Sequence, residues 1–478
     1  MNRSMRSIAA VMRQQWKVLR GDQRLGLLGL ALLVASLTAL VTNVVRHQNL
    51  EIERRAAAQA DTAVWARQGI TNPHGAAHFG HYVLKPVPAL SAFDPGIFDY
   101  LGTMLRLEAH KQNVADDRPR DAGTALSAFG TFSVASALQL VAPLLIILAG
   151  FTTFSGHHAR ALLTQEIASG ANPLTLMAGR LLTLGVILLV VLTAFAVAGA
   201  VTLLTADAAG PEYGRLAWML AGYALYLATF LALTLGVSAL CASTRAALTA
   251  LLAIWLCAAL LMPRIAPAVA AHVHPTPSLP AFKSEIQALI DAGLDGGQPR
   301  SARSERLRAM VLEKYRVARV EDLSVNETGA TLEYSEELST QVFRRHFADL
   351  YAIYRQQAQV NRMFAIASPL IALRPWSAAF AGTDFGAHHR FLTEAEAYRY
   401  DFVQALNHDI LLNRPRTNAA YAANVAEVTA SVDHVEPSVE PLGSVWLRQW
   451  PDLLVMLGWT LASIAFALGC AHRLRRED

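Results

Sequence analysis

Six long apolar runs decide what this chain can become. They cover residues 25–45, 131–154, 181–206, 216–240, 246–262 and 453–471, and none contains Asp, Glu, Lys or Arg within those limits. Crossing the hydrocarbon core of a bilayer as a helix takes about 20 apolar residues; only 246–262 falls near the lower limit. The second run carries Pro143, which a membrane helix tolerates because its neighbours satisfy the freed backbone groups. A buried core helix can mimic one such run, but hardly six. The charged fraction agrees, at 16% against about 25% in soluble domains. The first run is no cleavable leader: it is too long for a signal core, and Val45-Arg46-His47-Gln48 follows it in place of a small-residue cleavage site. The expected fold class is an all-α integral membrane protein with six transmembrane helices and two extracytoplasmic insertions, the larger mainly helical.

Lys and Arg in short links set the orientation of such a chain. Residues 1–24 carry Arg3, Arg6, Arg13, Lys17, Arg20 and Arg24 against Asp22 alone. Arg160 and Arg180 lie in the link 155–180, Arg245 lies between the fourth and fifth runs, and the tail 472–478 holds Arg473, Arg475 and Arg476. With six spans these segments share one side, which is therefore the cytoplasm. The opposite short link holds Asp207 and Glu212 and no Lys or Arg. Both termini are then cytoplasmic, and segments 46–130 and 263–451 lie outside. The net charge of +4 is small and dispersed, which argues against a nucleic-acid partner.

The larger outer segment opens with Pro263, Pro267, Pro275, Pro277 and Pro280. Apolar residues then recur at three- and four-residue steps over 281–292, 301–320 and 332–366, the mark of amphipathic helices. Phe343, Phe347, Leu350 and Tyr354 form one stripe. A further helix is expected over 393–412, with Thr393 as N-cap and Glu396 completing a capping box. The smaller outer segment has a short helical stretch at 51–65. Prolines then extend His81–Pro88, and Asp94-Pro95-Gly96 marks a turn.

On a helical wheel, Ile8, Val11, Met12, Trp16 and Leu19 share one face, with Arg3, Arg6, Arg13, Lys17 and Arg20 opposite. That is a basic amphipathic helix suited to the inner membrane surface, where Arg13, Trp16, Lys17 and Arg20 serve as an anchor or also touch a partner. The link 155–180 contains a short helix over 158–167, ending near Gly170; without further information it is a passive connector or a docking element. His74, His78 and His81 invite a metal reading, as do His272 with His274 and His388 with His389. The first set sits among Pro and Gly, where i, i+4 geometry is not assured, and no acidic residue lies close in sequence; structural hydrogen bonding is the expectation, with no metal. Cys241, Cys257 and Cys470 all fall in apolar runs, so the outer segments have no disulfides. There is no GxSxG, HExxH or SxxK, and no GxxxxGK[ST]. No catalytic residue, cofactor or ATP site is expected in this chain.

The order of elements resembles the type-2 ABC transporter permeases: basic interfacial helix, span, outer loop, span, cytoplasmic coupling helix, then four more spans. In the coupling segment Leu162-Leu163, Ser169 and Gly179-Arg180 match that family, while His157-His158-Ala159-Arg160-Ala161 stands where an acidic-Arg-Glu stretch is usual. The outer segments are similar to a narrower bacterial subgroup with an uncharacterised domain between the last two spans. That similarity rests on Gly80–Pro86, Asp94-Pro95-Gly96, Tyr100-Leu101-Gly102, Leu107–His110, Val320–Leu323, Ala367–Leu370 and Ala381–Phe391. The resemblance implies a permease subunit of an ATP-driven exporter in the bacterial inner membrane. It would pair with a second permease, as a homo- or heterodimer, beside a separate ABC ATP-binding subunit. His157, His158, Arg160 and Glu166 would be the coupling residues. The alternative it leaves is a mechanotransmission complex, in which ATP moves the outer domains and nothing crosses the bilayer.

Overall fold

A computed structural model describes residues 3–121, 132–292, 300–415, 420–433 and 439–474. The start of the second run at 131 and the tail arginines Arg475 and Arg476 lie outside the described residues, as do the side chains of Arg3 and Arg6.

Helix α1, Arg3–Gly21, breaks at Asp22, whose carboxylate accepts from Arg24 N and starts α2, Gln23–Ala66. No Gly or Pro interrupts the sequence from 30 to 66, so the first apolar run and the helical stretch expected at 51–65 form one helix. Its 44 residues span about 66 Å at 1.5 Å each, roughly twice a bilayer core. The chain then builds β1 (Ile70–Thr71), α3 (Pro73–Phe79) and an antiparallel sheet of β2 (His81–Leu84), β3 (Met104–Glu108) and β4 (Lys111–Gln112), with His81 opposite Leu107. The sheet was not anticipated from sequence; its strands are too short to show an alternating pattern.

Helix α4, Val134–Gly150, is the second apolar run. α5, His157–Ala168, precedes three long helices: α6, Pro173–Thr205; α7, Gly210–Leu240; and α8, Thr244–Val273. Among the described residues five helices are long and apolar enough to cross a membrane: α2, α6, α7, α8 and the last helix, Leu442–Arg473. α4 is a shorter apolar helix. Within the most apolar window of α7, 67% is buried, against 22–28% in the other four. α7 is therefore the hub, and the rest present apolar surface outward.

Two of these helices share a device. A π-helical segment, Ala137–Val141 in α4 and Cys257–Leu261 in α8, ends two residues before Pro143 and Pro263 respectively. Proline cannot bond the carbonyl four residues back and its ring crowds it, so each helix widens there and frees carbonyls. Side chains claim them. Tyr226 Oη donates to Gln139 O at 2.8 Å, Trp255 Nε1 to Leu140 O at 3.1 Å, and Ser368 Oγ to Ala258 O at 2.5 Å. The fifth run therefore does not stop at 262: α8 carries Pro263 and Pro267 inside it and continues to Val273.

The large insertion comprises α9 (Leu279–Ala292), α10 (Arg300–Lys314), α11 (Glu327–Met363), α12 (Pro369–Ala381), α13 (Phe385–Asn413), a strand β5 (Ala423–Asn424) that pairs with β1, and α14 (Val425–Thr429) before α15 (Leu442–Arg473). The expected stripe is inward: Phe343 and Phe347 are buried with Phe282, Ile286 and Val342. Two expectations need correction. α13 starts at Phe385, with Asp384 as cap accepting from Ala387 N. Thr393 sits inside the helix, its Oγ1 donating to His389 O, and Glu396 faces Arg399 instead of closing a capping box. α12 had no counterpart in the sequence reading. Apart from Arg374 and Ser377 it is apolar, and it turns back into the bundle, where Leu370, Ile371, Leu373, Trp376 and Phe380 are buried. Gly222 of α7 makes room for it: a Cβ there would lie 2.5 Å from the Trp376 ring.

Candidate functional site

The bundle has a basic end, where α1, α5 and the Arg-bearing links gather, and a far end that carries both insertions. At the basic end, α5 starts at Gly156, held at φ +91° with its N–H donated to Ala242 O, and ends at Gly170, φ +92°. Leu163 is its buried residue, packed among Phe154, Leu176, Met177 and Leu235. His157 and His158 are exposed in its first turn, and Arg160 is half-buried. Glu166 turns inward. Its Oε2 lies 2.9 Å from Arg180 Nη2 at the foot of α6, and Arg180 also donates to Thr153 O and stacks on the Phe154 ring at 4.3 Å. Glu166 therefore pins α5 to α6, and its exposed surface is His157, His158 and the outward turns between them and Gln165.

α1 lies against the same foot. A Cβ on Gly179 would come within 2.7 Å of Val11 Cγ1, so only glycine admits this approach. Val11 and Leu19 join the Phe154 cluster, and part of the face expected in the membrane is thus spent on α6. Trp16 stays 40% exposed. Arg13, Lys17 and Arg20 are exposed on the opposite side, with Arg13 Nε donating to Ala9 O.

At the far end a cavity of about 1320 Å³ opens between α4, α8, α11, α12 and α15, with Arg264, Arg355, Arg374 and Arg448 on its walls. A buried polar chain forms its floor. Ser377 Oγ donates to Asp94 Oδ2; Ser377 and Tyr223 Oη share a 3.0 Å hydrogen bond; Gln139 Nε2 donates to Tyr223 Oη at 3.1 Å; and Arg374 Nε donates to Gln139 Oε1 at 3.3 Å. Burial pushes the Asp94 carboxyl up, against the hydrogen bonds from Ser377 and Gly96. No apolar run contains Asp, Glu, Lys or Arg, yet the far end of the bundle does hold such groups, because α12 and the Asp94 turn carry them in. Ser368-Pro369, a cap followed by proline at the first helical position, was the signal for α12.

Above the cavity, Arg399 of α13 is buried with two carboxylates. It reaches Glu336 Oε1 at 2.5 Å, both oxygens of Glu396 at 2.8 and 2.9 Å, Thr340 Oγ1 at 2.9 Å and Glu108 O at 3.2 Å. Burial works against the Arg399 charge, but the two carboxylates outweigh it and raise its pKa. This network locks α11, α13 and β3 together.

The histidines regroup. His81 leaves the expected set; its ring lies against Trp65 and Phe402, with Nδ1 3.3 Å from Asp61. His110 takes its place beside His74 and His78. Burial, then the charges of His78 and His110, lowers His74 to about 4, so it is neutral at physiological pH. His388 is buried, brought down to about 3 by burial and then by Lys85 and His389. His389 packs edge-on to Tyr351, and His272 is exposed at the end of α8. Neither pair belongs to a three-ligand group among the described residues.

Residues 281–426 match a family described as a domain of unknown function, DUF3526. The match begins in α9, ends just past β5, and lies wholly within the larger insertion. No curated protein and no solved structure matches the chain.

Proposed function

We propose that this chain is the membrane subunit of an ATP-driven transporter of the type-2 ABC permease kind, built on six spans, with α4 as the short second one. One observation carries the reading. The helix of the link 155–180 is pinned by a nearly buried Glu166–Arg180 pair to the foot of α6, and the basic helix α1 packs on that same foot. A push on α5 is thereby delivered to a long apolar helix instead of being absorbed in a loop. The Lys and Arg bias supports reading this end as cytoplasmic, with both termini there and both insertions outside, and the resemblance supports a bacterial inner membrane. The chain has no phosphate-binding loop, so hydrolysis belongs to a separate ATP-binding subunit that docks on the exposed turns of α5. The uncovered apolar faces of α2, α6, α8 and α15 leave room for lipid and for a second permease. The far-end cavity is the outer mouth of an export path.

The mechanotransmission reading keeps one specific support. α2 runs unbroken from the apolar bundle into the smaller insertion, and a helix that long transmits tilt as a rigid rod. Reconstitution with an ATP-binding subunit from the same genome tests both. The isolated chain is expected to hydrolyse no ATP, and the complex to do so. Replacing His157 and His158 by Glu should abolish assembly while the chain still folds. ATPase activity from the isolated chain overturns the assignment.

A further inference from the structure

In sequence alone, His74 and His78 sit among Pro and Gly, where a shared helical face is not assured. The fold supplies that geometry. Asn72 caps α3 through its side chain, and Pro73 occupies its first position, a start signal that places His74 and His78 four residues apart on one helical face. Their Nε2 atoms are 3.2 Å apart. His110 arrives from the two-residue turn between β3 and β4, at φ +63°, a conformation costly for a non-glycine residue. Its ring centroid lies 5.4 Å from each of the other two. Ligating nitrogens of all three lie within 4.8 Å of one another.

Three imidazole nitrogens converging this closely are awkward without a common partner, since only the His74–His78 pair is within hydrogen-bond reach. Around one ion at about 2.0–2.1 Å they would stand roughly 3.3–3.5 Å apart. The surroundings match the outer shell of such a site. Glu336 accepts the His110 backbone N–H at 2.9 Å, and the same oxygen lies 3.0 Å from His110 Nδ1 without the alignment of a hydrogen bond. Carboxylates in that position fix the tautomer and orientation of metal-bound histidines. Arg399 holds Glu336 in turn. Asn407, wholly buried, lies within hydrogen-bonding reach of His74, but neither end of its amide nor His74 Nδ1 makes a bond of normal geometry. A His74 ring that ligates through Nε2 carries its proton on Nδ1 and offers it to the Asn407 carbonyl.

We propose that His74, His78 and His110 bind one borderline divalent transition-metal ion, zinc or copper(II), through three imidazoles. A fourth position is left open beside the exposed His78. Nitrogen-only donors disfavour calcium and magnesium, which prefer oxygen ligands. The site joins α3, the β3–β4 turn and, through Glu336, α11, so occupancy stiffens the contact between the two insertions.

The test uses the full chain in detergent, purified with a tag that lacks histidine and stripped with chelator. Zn²⁺ alone and Cu²⁺ alone are titrated in separate arms, with bound metal counted by elemental analysis and thermal unfolding followed. We expect about one ion of zinc or copper per chain and a raised melting temperature, with both effects lost in His78→Ala and in His74→Ala. His157→Ala/His158→Ala, which removes the adjacent exposed pair at the basic end, should change neither. If neither ion binds, or if bound metal survives His78→Ala, the proposal fails. Loss of the ion only in the His157/His158 variant also overturns it, since the metal was then adventitious. Because His78 is exposed, its removal should leave the metal-free fold intact, which unfolding of the stripped variant checks directly.

Discussion

Arg180 and Arg399 are both buried arginines that tie helices together, and they are supported differently. Arg180, at the basic end, has one carboxylate, one backbone carbonyl and the face of Phe154. Arg399, in the large insertion, has two carboxylates in three contacts, a hydroxyl and a carbonyl. The first is a single joint between a short helix and a long one. The second is a closed network across three elements. A buried pair does little for net stability, since desolvation offsets the attraction, but breaking one leaves an uncompensated charge. The two regions should therefore fail differently: the insertion as a block, the basic end at one hinge.

The sharpest break in that comparison is Arg399→Ala. It strands Glu336 and Glu396, both nearly excluded from water, and loss of one partner of a buried network costs about 3–5 kcal/mol. Thermal unfolding in detergent should show the insertion melting early while the apolar bundle stays folded. Joint melting with wild type would mean the network is not what holds α11 to α13. Phe347→Ala comes next. Its ring meets Phe282 edge-on at 5.2 Å, and deleting a buried aromatic costs about 3–5 kcal/mol, with the lower end expected because this cluster is small. Exposed Arg344, whose guanidinium lies over the Tyr400 ring, should change stability by no more than about 0.5 kcal/mol when replaced by Ala.

At the other end, Glu166→Ala should cost less, about 1–3 kcal/mol, since Arg180 keeps the Thr153 carbonyl and the Phe154 face. Its signature is local. Hydrogen exchange should rise in His157–Ala168 and stay unchanged in α13, and ATP hydrolysis by the reconstituted complex should lose its link to the permease. Protection of α5 equal to wild type would remove the joint from the proposed mechanism.

What the sequence made legible follows from what each feature depends on. The apolar runs, the α5 boundaries and the Phe343–Phe347 stripe depend on neighbours three or four residues away, and all were readable. α12 was not, because a helix of 13 residues, apolar save for Arg374 and Ser377, has neither the length of a span nor the periodicity of an amphipathic helix. Arg399 and Glu336 are 63 residues apart, and His110 reaches α3 only through the sheet register that sets His81 against Leu107. Such contacts leave no trace in local spacing. The Asn72-Pro73 start signal was present and would have placed His74 and His78 on one face. The continuation of α8 through Pro263 was hidden for another reason: proline normally ends a helix, and only the π segment before it, with Ser368 arriving from a hundred residues away, makes room for the ring.

The smallest effect separates the two descriptions of α13. Were Thr393 an N-cap, as Thr393 and Glu396 read in isolation, Thr393→Ala would cost about 1 kcal/mol. In the structure it is exposed in mid-helix, and its hydroxyl bonds the carbonyl one turn back. Alanine is the better helix former there, and a back-bonded threonine adds little. The expected change is between zero and a slight gain, within about 0.5 kcal/mol. The same unfolding assay reads it. A loss near 1 kcal/mol would move the cap of α13 from Asp384 to Thr393, detach Asp384 from Ala387, and remove from the helix the turn that carries His388 and His389 toward Lys85 and Tyr351.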